Sequence, residues 1–250
     1  MLSKSSGFAI RLASVVGFFA LWEVIPYLVN SRLLPSAAEV LRALVDEARH
    51  GALLHHLSIT LFRVASSFVL AMSLGIPIGL AMGRWRSFDD VFDSWIVLLL
   101  NLPALVVIVL AYVWFGLTEA AAIGAVAVNK LPLVVVTLRE GARSLDPDYA
   151  GMARAFRIGP WRRLRHILMP QLSPFIIVAA RSGLSLIWKI VLVVELLGRS
   201  DGIGFQIQLY FQLFDVTHIL AYTIAFVAVV QAIEWLVLQP AERHVGRWRR

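Results

Sequence analysis

Six residues of this 250-residue chain stand where polarity is expensive. Asn101, Asn129, Lys130, Arg181, Lys189 and Glu195 all fall inside long apolar runs or at a break in one. An ionisable side chain at membrane depth is costly and marks a route for a polar solute by default. The chemistry such residues offer is recognition of a charged solute, not bond making. The rest of the chain agrees. It has no Cys, and so no disulfide, no thiolate metal site and no cysteine nucleophile. It has no Gly-rich phosphate loop followed by Lys and Ser/Thr, so it is not expected to bind ATP or Mg itself. Six histidines include the pair His55-His56, where a wet surface pair is a simpler reading than a metal site. No Ser/His/Asp set is arguable. The expectation is a protein with no catalytic residues and no metal.

Each candidate has a competing reading. Lys130 lies near the middle of its apolar run, beside Asn129. A buried ammonium there points to an anionic solute, and a carboxylate partner is the alternative. Arg181 and Lys189 are eight residues apart, about a quarter turn from alignment on a helix. Two cations lining a pore favour anions. Glu195 is six residues past Lys189, so the two are not helical neighbours. It either lines the same route or neutralises a cation on another helix. Asn101-Leu102-Pro103 breaks its run. The break is an unwound turn offering backbone groups to a solute, or a plain kink. Arg63, about two turns inside its run, either serves the solute or snorkels outward.

These residues must be positioned by membrane helices. The chain is 59% hydrophobic and 16% charged, with mean hydropathy +0.78. That is too apolar for an ordinary soluble domain. Six runs are long enough to span a bilayer: Leu12–Val29, Leu57–Gly83, Val91–Gly116, Ala120–Leu138, Leu172–Leu197 and Ile219–Leu238. The first has no clear small-residue cleavage site and is expected to remain as a signal anchor. Of the 23 Lys and Arg, fifteen fall on one side of this topology, four on the other and four within the runs. The asymmetry puts both termini and the Arg139–Gln171 loop in the cytoplasm. The net charge of +7 therefore reports membrane topology, with no nucleic acid implied. Between the first two runs, Ser36 can cap a helix whose stripe Val40, Leu41, Leu44 and Val45 lies along the outer surface. Residues 1–56 thus hold the first span and this amphipathic helix. Residues 57–240 are the core, with the large loop at 139–171, and 241–250 form a basic tail.

The loop carries its own pattern, YAGMARAFRIGPWRRLRHILMP. Asp146 can cap a helix with Pro147 at its first position. Met152, Ala155 and Phe156 then share a face, and Gly159-Pro160 ends the helix. A second short helix places Trp161, Leu164, Ile167 and Leu168 on one side and Arg162, Arg163, Arg165 and His166 largely on the other. Pro170 introduces the next span. Apolar groups rimmed by charge suit a protein docking site. The same pattern also suits a helix pair lying on anionic lipid.

The loop resembles the cytoplasmic motif of binding-protein-dependent ABC importer permeases: Glu-Ala-Ala, three variable residues, Gly, and later Ile-x-Leu-Pro. Here it reads Gly151-Met152-Ala153, Arg157, and Ile167-Leu168-Met169-Pro170. Gly151 replaces the usual Glu, and Arg157 replaces the usual Gly. Either Gly159 supplies the turn two residues later, or the ATPase carries an acidic match for Arg157. Three further stretches resemble the sulfonate, taurine and nitrate branch. They are LLPSAAEVLRAL from Leu33, HLSITLFRVASSFVLAMSLGIPIGLAMG from His56, and WKIVLVVELLGRSDGIGFQI from Trp188. In the second, Ser67 stands where Gly is common. Gly75, Gly79 and Gly83 form a ridge every fourth residue, suited to close helix packing within the subunit or at a dimer seam. At Lys130 the family usually has apolar or aromatic residues, so the cation bears on substrate preference.

The resemblance implies an all-α membrane fold of about six transmembrane helices, the type-I importer permease fold with a cytoplasmic coupling helix. It implies coupling residues Gly151, Met152, Ala153, Ala155, Phe156, Arg157, Gly159 and Trp161. The implied partners are ABC ATPase subunits that hold ATP and Mg, a second permease copy, a periplasmic or lipid-anchored substrate-binding protein, and membrane lipid. The implied location is the bacterial inner membrane. The implied cargo is a small oxyanion such as a sulfonate, taurine, nitrate or an aromatic carboxylate. A neutral heterocycle such as a vitamin precursor is the alternative. A stand-alone secondary transporter would show internal inverted repeats, and none is apparent.

Overall fold

The computed structural model describes residues 4–29 and 33–240, without the side chains of 4–13, 15, 27, 29, 150 and 154. The basic tail at 241–250 lies outside the described residues.

The elements are all helical: α1 (Lys4–Val29), α2 (Ala37–Arg49), α3 (Leu53–Arg84), α4 (Arg86–Asn101), α5 (Ala104–Phe115) and α6 (Glu119–Arg143). They continue with α7 (Pro147–Ala155), α8 (Pro160–Arg163), α9 (Met169–Gly198), α10 (Ile203–Gln212) and α11 (Val216–Ile233). π-Helical turns occupy Leu164–Leu168 and Glu234–Leu238. Four helices are long and apolar enough to cross a membrane: Leu53–Arg84, Glu119–Arg143, Pro160–Gly198 and Val216–Leu238. The pair α4–α5 adds a fifth if counted as one span, bent by 98° at the break. The expected first span lies in α1, where Val16–Pro26 is the apolar stretch among described residues.

The bend sits at Asn101-Leu102-Pro103. Pro103 cannot donate a backbone hydrogen bond, and the residue before it is pushed to extended geometry, as Leu102 shows with ψ 125°.

The fold is built on α3 against α6. Ser67, Ala71, Gly75, Gly79 and Gly83 recur every fourth residue along α3. A Cβ on Gly75 would lie 2.6 Å from the Val134 side chain, and one on Gly79 2.6 Å from the Val135 carbonyl oxygen. A Cβ on Gly83 would lie 2.7 Å from the Arg139 carbonyl oxygen. The glycine ridge is therefore an intrasubunit seam that brings two backbones together. α9 packs on the other side of α6, and α5, α10 and α11 close the main core around Ile108, Val126, Ile187, Val191 and Tyr222.

Ser36 caps α2 with a reciprocal Glu39 contact, the capping box. Glu23 on α1 accepts the Ala38 N–H at 3.1 Å, a carboxylate at a helix N-terminus. Of the expected stripe, Val40 is buried and Leu44 partly so, while Leu41 and Val45 are exposed. Glu47 fastens α2 to the core by accepting the hydroxyls of Tyr210, at 3.2 Å, and Tyr222, at 2.8 Å.

Three features differ from the sequence expectation. His55-His56 is not a wet surface pair, because His56 is buried and accepts the Gly202 N–H at 3.0 Å. Helix α10 occupies the stretch between the runs Leu172–Leu197 and Ile219–Leu238, where no helix is expected from the sequence. Gly202, at φ 102°, starts it in a conformation open to glycine. The second elbow helix also does not stop before Pro170 but runs on into α9 through the π-turn, where Met169 N–H bonds to Leu164 C=O. The wider turn accommodates a proline whose ring otherwise meets the carbonyl four residues back.

Candidate functional site

Three groups of residues are set by this scaffold. The first is a charge cluster where α3, α6 and the α9–α10 turn meet. The Arg63 side chain is 1% exposed. Its guanidinium donates to Glu119 at 2.9 and 2.6 Å, to Glu195 at 2.8 Å, and to the Asp201 carboxylate and carbonyl. Glu195, fully buried, also accepts from the Thr60 hydroxyl at 3.0 Å and the Gly204 N–H at 2.8 Å. Arg199 reaches Glu119 from the side. Burying such charges is tolerable only with these partners in place. Arg63 thus does not snorkel outward: three carboxylates hold it inside. Of the two readings of Glu195, neutralising a cation on a neighbouring helix is the geometry found.

The second group lies at membrane depth. Lys130 on α6 is 2% exposed, and its Nζ has no hydrogen-bond partner among the described residues. No carboxylate of the described residues meets it. Its stem lies against α9 at Gly183, where a Cβ would come 2.6 Å from Lys130 Cε. The missing side chain leaves the room that Lys130 occupies. Asn129 is half-buried beside it. Arg181, Ser185 and Lys189 recur every fourth residue on α9 and are all exposed. Arg181 pairs with Glu234 at 2.7 Å. Asn101 is exposed at the bend, its amide donating to the Val97 carbonyl at 2.7 Å. The structure thus separates Glu195 from the other candidates. It places Lys130 inside the helix bundle and Arg181 with Lys189 on an open face of α9.

The third group is the elbow. α7 ends in a tight reversal in which Arg157 takes φ 50° and the Ile158 N–H bonds to the Ala153 carbonyl at 2.9 Å. This is the left-handed helix stop that glycine usually occupies. Gly159 does not supply the turn, for its φ −61° and ψ 155° are extended. Arg157 itself adopts the conformation that explains a glycine at this position. Asp146 accepts the Asp148 N–H at 2.8 Å and so caps α7. Met152, Ala155, Phe156 and Trp161 are exposed, Phe156 to 77% and Trp161 to 71%. Gly151 is half-buried, and Ala153 is buried and anchors the helix. In the second helix Trp161 faces outward, Leu164 is partly exposed on the side toward α3 and α9, and Ile167 turns into the fold.

The elbow thus exposes apolar side chains between two membrane-length helices. The family described as binding-protein-dependent transport system inner membrane component matches residues 75–238. The chain belongs to this family. Residues 75–238 include the glycine ridge, the elbow and Lys130. A Bacillus subtilis permease named for aliphatic sulfonate transport is 28% identical over 232 residues, covering 92% of this chain and 84% of that one. The Escherichia coli taurine transport system permease is 26% identical over 226 residues, covering 88% and 82%. Among solved structures, an inward-facing MetNI methionine ABC transporter matches with TM-score 0.66 at 18% identity, covering 80% of this chain and 98% of that one. That likeness shows the type-I importer permease fold. This chain is an ABC importer permease, a multi-pass inner-membrane transport component and not an enzyme.

The sequence alone left the Arg63 cluster and the left-handed Arg157 unread. The replacement of a family glycine by Arg157 was the one signal for the latter.

Proposed function

We propose that two copies of this permease form a pathway for a small oxyanion across the membrane. ABC ATPases dock on the elbows through Phe156, Trp161 and Met152, and a periplasmic or lipid-anchored binding protein delivers the solute. ATP and Mg belong to the ATPase. Both termini and the elbow lie in the cytoplasm, as the Lys and Arg asymmetry supports. Movement of the elbow on ATPase closure switches the pathway.

The observation that carries the anionic reading is Lys130, an ammonium buried at the middle of α6 without a partner among the described residues. An unpaired buried charge is costly, and a passing anion offsets that cost only while bound. Lys189 supports it from the open face of α9, because an uncovered ammonium is not tolerated against lipid. The sulfonate and taurine permeases among the relatives point the same way.

The test is ATP-driven uptake into proteoliposomes holding the permease, its ATPase and its binding protein. A sulfonate, taurine, nitrate and a neutral pyrimidine are offered as labelled solutes. Uptake of an oxyanion that drops about tenfold or more in Lys130→Met is expected, the scale of losing one charge-assisted hydrogen bond. Uptake of the pyrimidine alone, unchanged in Lys130→Met, would overturn the anionic reading and leave the family standing.

A further inference from the structure

Behind the elbow lies a cavity of about 910 Å³, between α7–α8 and the ends of α3, α6 and α9. Its chemistry is divided. Arg84, Arg143 and Arg163 supply positive charge, while Leu80, Leu164 and Leu172 supply apolar wall. Arg143 is committed to Asp89 and Glu140. The Asp146 carboxylate at the rim is committed to the α7 cap. Arg84 is exposed at the end of α3, and Arg163 has its Nε buried without a hydrogen-bond partner. Among the described residues the site therefore presents two guanidinium groups without an ion pair, one of them holding an orphaned buried donor, backed by leucines.

The outward residues of the elbow, Phe156, Trp161 and Met152, do not line this cavity. The elbow has two faces, and the ATPase takes the other one. A free anion would satisfy the arginines but leave the leucine wall against water. A phospholipid satisfies both, with its phosphate on the guanidinium forks and its acyl chains along Leu80 and Leu164. The depth agrees, since the cavity sits where α3 leaves its apolar run at Arg84 and Trp85.

We propose that this cavity binds the headgroup of an anionic phospholipid and so ties the elbow to the inner leaflet. The proposal rests on the cytoplasmic placement of the elbow proposed above. Bound lipid fills the gap between the elbow and the spans, so that displacement of the elbow is passed to α3, α6 and α9.

The test uses the purified permease–ATPase complex, with phosphatidylglycerol and phosphatidylcholine of the same chains as probes. Bound lipid is counted by native mass spectrometry for wild type, Arg163→Gln and Arg84→Gln/Arg163→Gln. Wild type is expected to retain phosphatidylglycerol over phosphatidylcholine, and each lost arginine to reduce retention about fivefold. ATPase is expected to stay bound in the variants, which separates lipid loss from misfolding. Equal retention of phosphatidylglycerol in wild type and double variant overturns the proposal. So does its displacement by millimolar inorganic phosphate, which assigns the cavity to a free anion. Loss of ATPase with lipid retention unchanged assigns the cavity to the subunit interface and also overturns it. Failure of wild type to hold any ATPase would count against the importer assembly instead, and is read separately.

Discussion

Arg63 and Glu195 are 132 residues apart in the chain, and their side chains meet at 2.8 Å inside the bundle. The pair joins α3 to α9, and Glu119 and Asp201 complete the shell around the same guanidinium. Because Arg63 is the cation that faces Glu195 directly among the described residues, its removal leaves a fully buried carboxylate uncompensated. Arg63→Met is expected to cost about 3–5 kcal/mol of stability. Arg63→Lys should cost less but still register, since an ammonium cannot fork to several carboxylates. Glu195→Gln keeps an acceptor for Thr60 and Gly204 and should be milder than Glu195→Ala. Thermal melting in detergent ranks the four. A melting point for Arg63→Met equal to wild type would show the cluster to be decorative.

The glycine ridge predicts where substitution fails. Gly79→Ala places a methyl 2.6 Å from the Val135 carbonyl oxygen, backbone that cannot swing aside. Helices α3 and α6 must then part, at about 1–3 kcal/mol. Gly124→Ala on α6 meets nothing within 4 Å and should be neutral or slightly stabilising. Melting and oligomer size are measured together. If Gly79→Ala dissociates copies while leaving each as stable as before, the ridge serves a dimer seam and not the α3–α6 contact.

Arg157 offers a sharper test of the elbow. Its φ of 50° is strained for an L-residue, so Arg157→Gly should relieve about 1–2 kcal/mol and keep the ATPase bound. Arg157→Val, β-branched, should lose it. If an acidic residue on the ATPase is what Arg157 serves, both variants lose binding alike. Phe156→Asp, at a side chain 77% exposed, should abolish co-purification without lowering the melting point. Retention of the ATPase by Phe156→Asp would place docking elsewhere.

What the sequence disclosed follows from range. The kink at Asn101–Pro103, the cap at Ser36 and the glycine spacing are local, and each is set by residues within a turn or two. The elbow was legible as two amphipathic patterns around Gly159-Pro160. The Arg63 cluster was not, because its members come from α3, α6 and the α9–α10 turn, and no pattern along one helix reports that meeting. The continuity of α8 with α9 was hidden for another reason. Pro170 reads as a helix start, and only a π-turn, a choice made by packing, lets the helix pass through it. Lys130 was legible as a cation at depth, but its lack of a carboxylate partner among the described residues could not be read from spacing.

Gly183 tests Lys130 without touching its charge. A methyl at Gly183 would lie 2.6 Å from Lys130 Cε and 3.4 Å from Nζ, and the flexible end of the lysine must move to admit it. Gly183→Ala is therefore expected to keep the fold, since the neighbour that yields is a side-chain end and not backbone. It should still shift where the ammonium sits. If Lys130 meets the passing anion, transport in Gly183→Ala should show a changed apparent KM for the anion with maximal ATP-driven flux less affected, and Lys130→Met should lower uptake further. If Lys130 only fills space, Gly183→Ala and Lys130→Met should alter melting and leave the KM where it was. The comparison works because the two substitutions perturb one atom in different ways: one displaces the charge and the other deletes it. A structural lysine responds to both as a packing defect. A lysine that binds cargo responds to both in the concentration dependence of uptake, and more strongly to deletion than to displacement.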